Sequence, residues 1–291
     1  MGQKDEIVED RFDPEAVPEA DAGPRTVEER FAARVTMNVP DKHSPRLRKV
    51  MDLVNADDDL YALWLAANVN AIERLGMTDH GPVHVKIVMN IAVRMLRLLV
   101  DAGVEPAVTT QYGMPSEDAE VVVALAALLH DVGMSIHRAG HEEFSLFIAK
   151  TKLDEMLPKI YDRRTSTIVR SEVLHAIIGH RSGGTPLTLE AGVVRVADAL
   201  DMAKGRSRIP FAAGSLSIHS ISAQAIEGVH IQKGEERPIR LVVEMSNSAG
   251  VFQLDQLFRE KLKGSGLEPY VEVEGKMEGE TEKRIFKQFK L

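Results

Sequence analysis

The sequence predicts a mainly α protein, an all-helical domain followed by a smaller α+β domain. Two observations carry this reading. Between Ser44 and Lys204 apolar residues recur at helical spacing in segment after segment, broken by Pro, Gly and capping residues. After Pro210 the pattern changes to short runs rich in Val and Ile, with strict alternation in Tyr270-Val-Glu-Val-Glu274. Helices first and strands later argue for two packed units.

Each element has its own signal. Residues 1 to 26 are rich in Asp, Glu, Pro and Ala and read as a disordered acidic tail, which leaves 27–212 for the helical domain and 213–291 for the α+β domain. Leu47, Val50, Leu53 and Val54 mark a helix from Ser44, and Leu60 to Leu75 continues in a second segment that carries Trp64. Pro82 suits a first turn, and the helix it opens runs to Val100 with His84, Val88, Ile91 and Met95 on one stripe. Ser116 reads as the cap of the next helix, with Glu117 and Asp118 set to meet its dipole. Helices from Glu142 to Leu157, Thr167 to Gly179 and Leu189 to Lys204 follow, the last capped by Thr188. Leu216–Ser222, Val229–Gln232, Ile239–Met245 and Tyr270–Glu274 read as strands, and Val251 to Leu262 as a helix. Ser246–Gly250, just before it, reads as a turn and cap rather than an anion site.

Composition removes several classes of function. With a net charge of −8, a general electrostatic grip on nucleic acid is not indicated, although a local basic pocket stays open. There is no cysteine, which excludes disulfides and thiolate metal sites and suits a cytoplasmic protein. The first ten residues lack the apolar stretch of a signal peptide, and charges interrupt every long apolar run, so no membrane span is expected.

The chemistry is concentrated at the end of one helix. The apolar run Val121–Leu129 finishes in His130-Asp131, an imidazole and a carboxylate where burial penalises both. A metal ion is the usual compensation. Seven of the ten histidines lie between His80 and His180, and His84, His141, His180 and Asp198 occupy comparable helix faces or ends. Without thiolates, such donors suit a divalent metal, Mn, Fe, Zn, Co or Mg; ligand type alone does not choose among them, imidazole counts against Mg alone, and Mn or Fe is the favoured expectation.

The stretch Ala126-Ala-Leu-Leu-His-Asp-Val-Gly133, with His84 upstream and Val196-Ala-Asp-Ala-Leu200 downstream, resembles the HD superfamily of metal-dependent phosphohydrolases. That family is an all-α domain named for its His-Asp pair. The resemblance implies that His84, His130, Asp131 and Asp198 hold one ion, that His141 and His180 add a second, and that Asp131 bridges the two as the central catalytic group. His175, five positions before His180, falls on a different side of a regular helix and is a weaker candidate, as are His80 and His137 for ligand or substrate contact. Asp201 and Glu142 are candidates for orienting a ligand histidine. Many members follow the doublet with Gly-Lys, whose lysine contacts phosphate; here Met134 follows Gly133. The basic role then falls to Arg181, or to Lys204, Arg206 and Arg208, unless these are a solvated helix end.

The expected function is hydrolysis of a phosphoester, with a small phosphorylated substrate of nucleotide type. Two alternatives stay open: a metal-containing nucleotide sensor, and an RNA phosphodiesterase in which the C-terminal domain grips the strand. The acidic balance and the lack of an aromatic-basic stacking surface weigh against RNA. The alternating strands leave room for a homo-oligomeric contact.

Overall fold

The computed structural model describes residues 26–39, 44–181, 184–203 and 222–277. The expected tail save Thr26, the strand Leu216–Ser222 save its last residue, and Lys204, Arg206 and Arg208 lie outside them. The chain falls into two units, Met1–Arg34 and Val35–Leu291. In the first, helix α1 (Val27–Ala32) is closed by a reciprocal capping box between Thr26 and Glu29.

The second unit is mainly α with a small three-stranded sheet. Its helices are α2 (Pro45–Asn55), α3 (Asp58–Asn68), α4 (Pro82–Asp101), α5 (Ala107–Tyr112), α6 (Ser116–Leu129), α7 (His141–Met156), α8 (Arg163–Gly179) and α9 (Leu189–Leu200). α6 is the axis. Every residue from Val121 to Leu129 is buried, because α2, α4, α5, α8 and α9 surround it. A helix apolar on all sides needs such a jacket. Trp64 of α3 donates its indole N–H to the Leu128 carbonyl at 2.8 Å, which satisfies one of the last carbonyls of α6.

Several boundaries differ from the sequence reading, each for a local reason. Ser116 is the first helical residue of α6 and makes no side-chain cap; Pro115 holds the cap position. Asp118 does not serve the dipole alone, since it accepts from Arg46 at 2.6 Å and from the Tyr161 hydroxyl at 2.7 Å. α8 begins four residues earlier than Thr167 because Asp162 accepts the N–H groups of Arg164 and Thr165. α9 is capped by Thr188 as expected but stops at Leu200 rather than Lys204. The segment after α3 is π-helical over Val69–Arg74, and α5 had no periodic signal in its six residues.

The C-terminal part comprises β1 (Ile226–Lys233), β2 (Ile239–Met245) and β3 (Val271–Met277), in the order β1-β2-β3. β1 and β2 pair antiparallel, β2 and β3 parallel. Parallel pairing requires a crossover. Here it is a helical segment, π-type over Gln253–Phe258 and then α10 (Arg259–Leu262). β1 and β2 pack on α4, while α10 packs on α9. The approach to α9 is close: a Cβ on Gly192 would lie 2.2 Å from the Ser265 carbonyl oxygen, so only glycine fits there. Among the described residues no helix is long and apolar enough to cross a membrane.

Candidate metal centre

α6 delivers the doublet. His130 is the residue that closes the helix, and Asp131 begins the turn into a 3₁₀ segment, Val132–Ser135. The turn is held by Ser145 of α7, whose hydroxyl donates to the His130 carbonyl at 2.6 Å and accepts the Gly133 N–H at 2.9 Å. Gly133 is needed here, because a Cβ would lie 2.1 Å from the His141 carbonyl oxygen. Asn70, from the π-helical segment, donates to the carbonyls of Met134 and Ser135 at 2.7 and 3.1 Å.

Four imidazoles and two carboxylates converge on this point. His84 comes from the first turn of α4, His141 from the start of α7, His180 from the end of α8 and Asp198 from the last turn of α9. His84 Nε2 lies 3.3 Å from His130 Nε2, 3.4 Å from Asp131 Oδ2 and 3.6 Å from Asp198 Oδ1. On the other side, Asp131 Oδ1 lies 3.1 Å from His141 Nε2 and 3.8 Å from His180 Nε2. The two oxygens of Asp131 thus face different imidazole pairs. The donor atoms of His84, His130 and Asp198 all lie within 4.8 Å of one another, as do those of His130, Asp131 and His180.

The far nitrogen of each imidazole faces a fixed acceptor. His84 Nδ1 is 2.6 Å from Asp201 Oδ2, and His130 Nδ1 is 2.8 Å from the Ala127 carbonyl. His141 Nδ1 is 2.9 Å from the Arg138 carbonyl and 3.1 Å from Glu142 Oε2; His180 Nδ1 bonds the Ile177 carbonyl. An N–H at Nδ1 of His84, His130 and His180 leaves their Nε2 lone pairs aimed inward, at one another and at carboxylate oxygens; His141 Nδ1 also lies 2.9 Å from the Arg138 guanidinium, and its Nε2 faces Asp131. Such a concentration of acceptors is repulsive until a cation enters it, and the donor set is the one divalent ions take from proteins lacking thiolate. The residues fit a metal.

The electrostatics agree. Burial alone would push the Asp131 and Asp198 carboxyls up, but His130 beside the first, and Lys261 and His130 beside the second, hold both well below the usual carboxylate range. Burial works against a charged His130, yet Asp131 and Asp198 raise it to about 10. His180 is pushed down to about 3 by burial and by the positive charges of His130 and Lys261. The centre attracts positive charge strongly enough to keep a proton on one imidazole.

The remaining sequence candidates fall outside this cluster or at its margin. His80 is buried beside His84, with ring centres 5.6 Å apart, and its Nδ1 is 2.7 Å from the Thr78 carbonyl. His137 is exposed and its Nδ1 accepts the Ala139 N–H at 3.0 Å. His175 Nε2 accepts the Leu187 N–H at 3.0 Å, which ties it to the loop before α9 instead. Arg181 is exposed and paired with Glu143. Four residues had escaped the sequence reading: Ser145, Asn70, Arg195 and Lys261. A serine inside a helix and an asparagine inside another carry no local sign of what they will hold. Lys261 lies far along the chain, in α10, and donates to Asp198 Oδ2 at 3.1 Å and to the His180 carbonyl at 2.8 Å.

Comparison with known proteins places this arrangement. The chain is 43% identical over 225 residues to the uncharacterized protein MJ1020 of Methanocaldococcus jannaschii, a match spanning 77% of this chain and 86% of that one. A family model described as HD domain matches residues 83–203, the stretch from α4 to the end of α9 that carries all six converging side chains. The chain belongs to the HD-domain family, within the superfamily of metal-dependent phosphohydrolases.

Proposed function

We propose that this centre hydrolyses a phosphoester, with a nucleotide or related phosphorylated metabolite as substrate and water as nucleophile. One observation carries the reading: four imidazoles with tethered Nδ1 atoms aim their Nε2 atoms at the two oxygens of one buried carboxylate, Asp131. His84, His130 and Asp198 with Asp131 Oδ2 would hold one divalent ion, His141 and His180 with Asp131 Oδ1 a second, with Mn or Fe favoured. Bound there, divalent ions would supply charge that polarises a phosphoryl oxygen and lowers the pKa of water toward neutrality.

The chain's own contribution is placement. Asp201 and Glu142 orient His84 and His141, and Ser145 fixes the turn that aims Asp131. Residues 27–212 form the catalytic domain on this reading and 213–291 an appendage to it, in a cytoplasmic protein open to self-association.

The test is the double variant His130→Ala/Asp131→Ala, assayed for metal content and for turnover of mononucleotides, cyclic nucleotides and dinucleotides with Mn added. Loss of bound metal and at least a ~10³-fold drop in turnover are expected, because the centre's electrostatic work is removed at once. Unchanged turnover would refute the assignment. A wild-type protein that binds these nucleotides without cleaving any would favour the sensor reading.

A further inference from the structure

Exposure across the centre has a direction. The side chains of His84 and His130 are 0% exposed and that of Asp131 5%, whereas Asp198 is 15% and Lys261 19% exposed. The most exposed of these groups are Asp198 and Lys261, where α10 packs on α9. A substrate entering there would meet the Lys261 ammonium before the deeper imidazoles of His84 and His130.

Lys261 is built into that position. Arg195, one turn before Asp198 on α9, is buried, and its guanidinium donates to the carbonyls of Lys261 at 2.9 Å, Glu260 at 3.3 Å and Arg181 at 3.1 Å, and to that of Gly184. One side chain therefore fastens both α10 and the chain after His180 to α9. Gly192 permits the contact of Ser265 with the same helix. An ammonium has three N–H donors. Two are used, on Asp198 Oδ2 and the His180 carbonyl, which leaves the third without a partner among the described residues. Loaded with divalent ions, the centre would carry excess positive charge over Asp131 and Asp198, and Lys261 extends that charge to the open side. Arg181, the basic residue nearest in sequence to His180, points to a different use, since Glu143 already answers its charge.

We propose that Lys261, supplied by the C-terminal α+β part, is the anion-binding side chain of this centre and donates its third N–H to a phosphoryl oxygen of the substrate. The inference rests on the phosphohydrolase reading but is tested apart from turnover. Inorganic phosphate serves as the probe, titrated calorimetrically into full-length protein at Mn concentrations that load every sample, with metal content measured on each. Lys261→Met and Lys261→Gln should weaken phosphate binding at least tenfold at equal Mn content, and Lys261→Arg should restore most of it, because a guanidinium keeps the charge and the donors. Arg138→Ala, on the far side beside the His141 ring, serves as comparison.

Unchanged phosphate affinity in both Lys261 variants would overturn the proposal. So would variants that fold, by circular dichroism, but can no longer be loaded, since Lys261 would then act only by holding Asp198. A larger loss in Arg138→Ala than in Lys261→Met would move the anion site to the other end of the centre and also overturn it. If wild-type protein takes up no Mn at all, it is the phosphohydrolase reading that has failed.

Discussion

The helical body and the C-terminal part both border the metal centre, but they reach it by different routes. The body places its groups at helix ends: His130 closes α6, His180 closes α8, and His84 and His141 stand in the first turns of α4 and α7. Each position is set within a few residues by a cap, a proline or a glycine. The C-terminal part brings Lys261 by docking a whole segment on α9, through Gly192 and Arg195. Local rules build the first contribution and tertiary packing builds the second, so perturbing one should leave the other standing.

Two glycines separate the routes. Gly133→Ala drives a methyl group toward the His141 carbonyl oxygen at 2.1 Å, a backbone atom that cannot move without α7. A loss of about 3 kcal/mol is expected, together with weakened metal uptake, since Asp131 and His141 shift together. Gly192→Ala meets the Ser265 carbonyl oxygen at 2.2 Å, in the turn after α10 rather than in a long helix. We expect a smaller loss, about 2 kcal/mol, with Mn uptake kept and phosphate affinity reduced as α10 moves away. Chemical denaturation and metal analysis of the two variants check both. Loss of metal in Gly192→Ala would show that the two routes are not separable.

A finer test stays within the body. Asp201→Asn keeps the size of the side chain but gives His84 Nδ1 a weaker and less certain acceptor than a carboxylate 2.6 Å away. Outer partners of this kind are typically worth about 10–100-fold in metal affinity. We expect that range from competition with a chelating dye, while Asp201→Glu falls between the two. An affinity within a factor of two of wild type would mean that packing alone orients His84.

What the sequence reveals follows the same division. Most of the helix order, though not α5, and the strands at Ile239–Met245 and Tyr270–Glu274 were readable from periodicity, the last of these running on to Met277. The His130-Asp131 doublet was a local anomaly at the end of an apolar helix, and the resemblance to the HD superfamily added His84, His141, His180 and Asp198 to it. Asp201 was readable from spacing, being one turn beyond Asp198. Lys261 was not, since a lysine on an amphipathic helical segment is ordinary until α10 is known to lie on α9. Ser145 and Asn70 were hidden too: their partners, the His130 and Met134 carbonyls, are backbone groups that no side-chain pattern announces. Ser116 misled because the fold gives Asp118 to Arg46 and Tyr161, and Pro115 already sets the entry to α6.

The smallest expected effect concerns Arg181, the basic residue that sequence proximity to His180 favours for phosphate. Its side chain is 50% exposed and its partner Glu143 45%, so water screens the pair, and such pairs contribute about 0–1 kcal/mol. Its carbonyl, not its guanidinium, takes part in the scaffold, by accepting from Arg195 at 3.1 Å. Arg181→Ala preserves that carbonyl. Stability should therefore change by no more than about 0.5 kcal/mol, and phosphate affinity by no more than about twofold, both measured beside Lys261→Met. A tenfold loss of phosphate binding in Arg181→Ala would give the anion to the rim of the helical body and remove the C-terminal part from the chemistry.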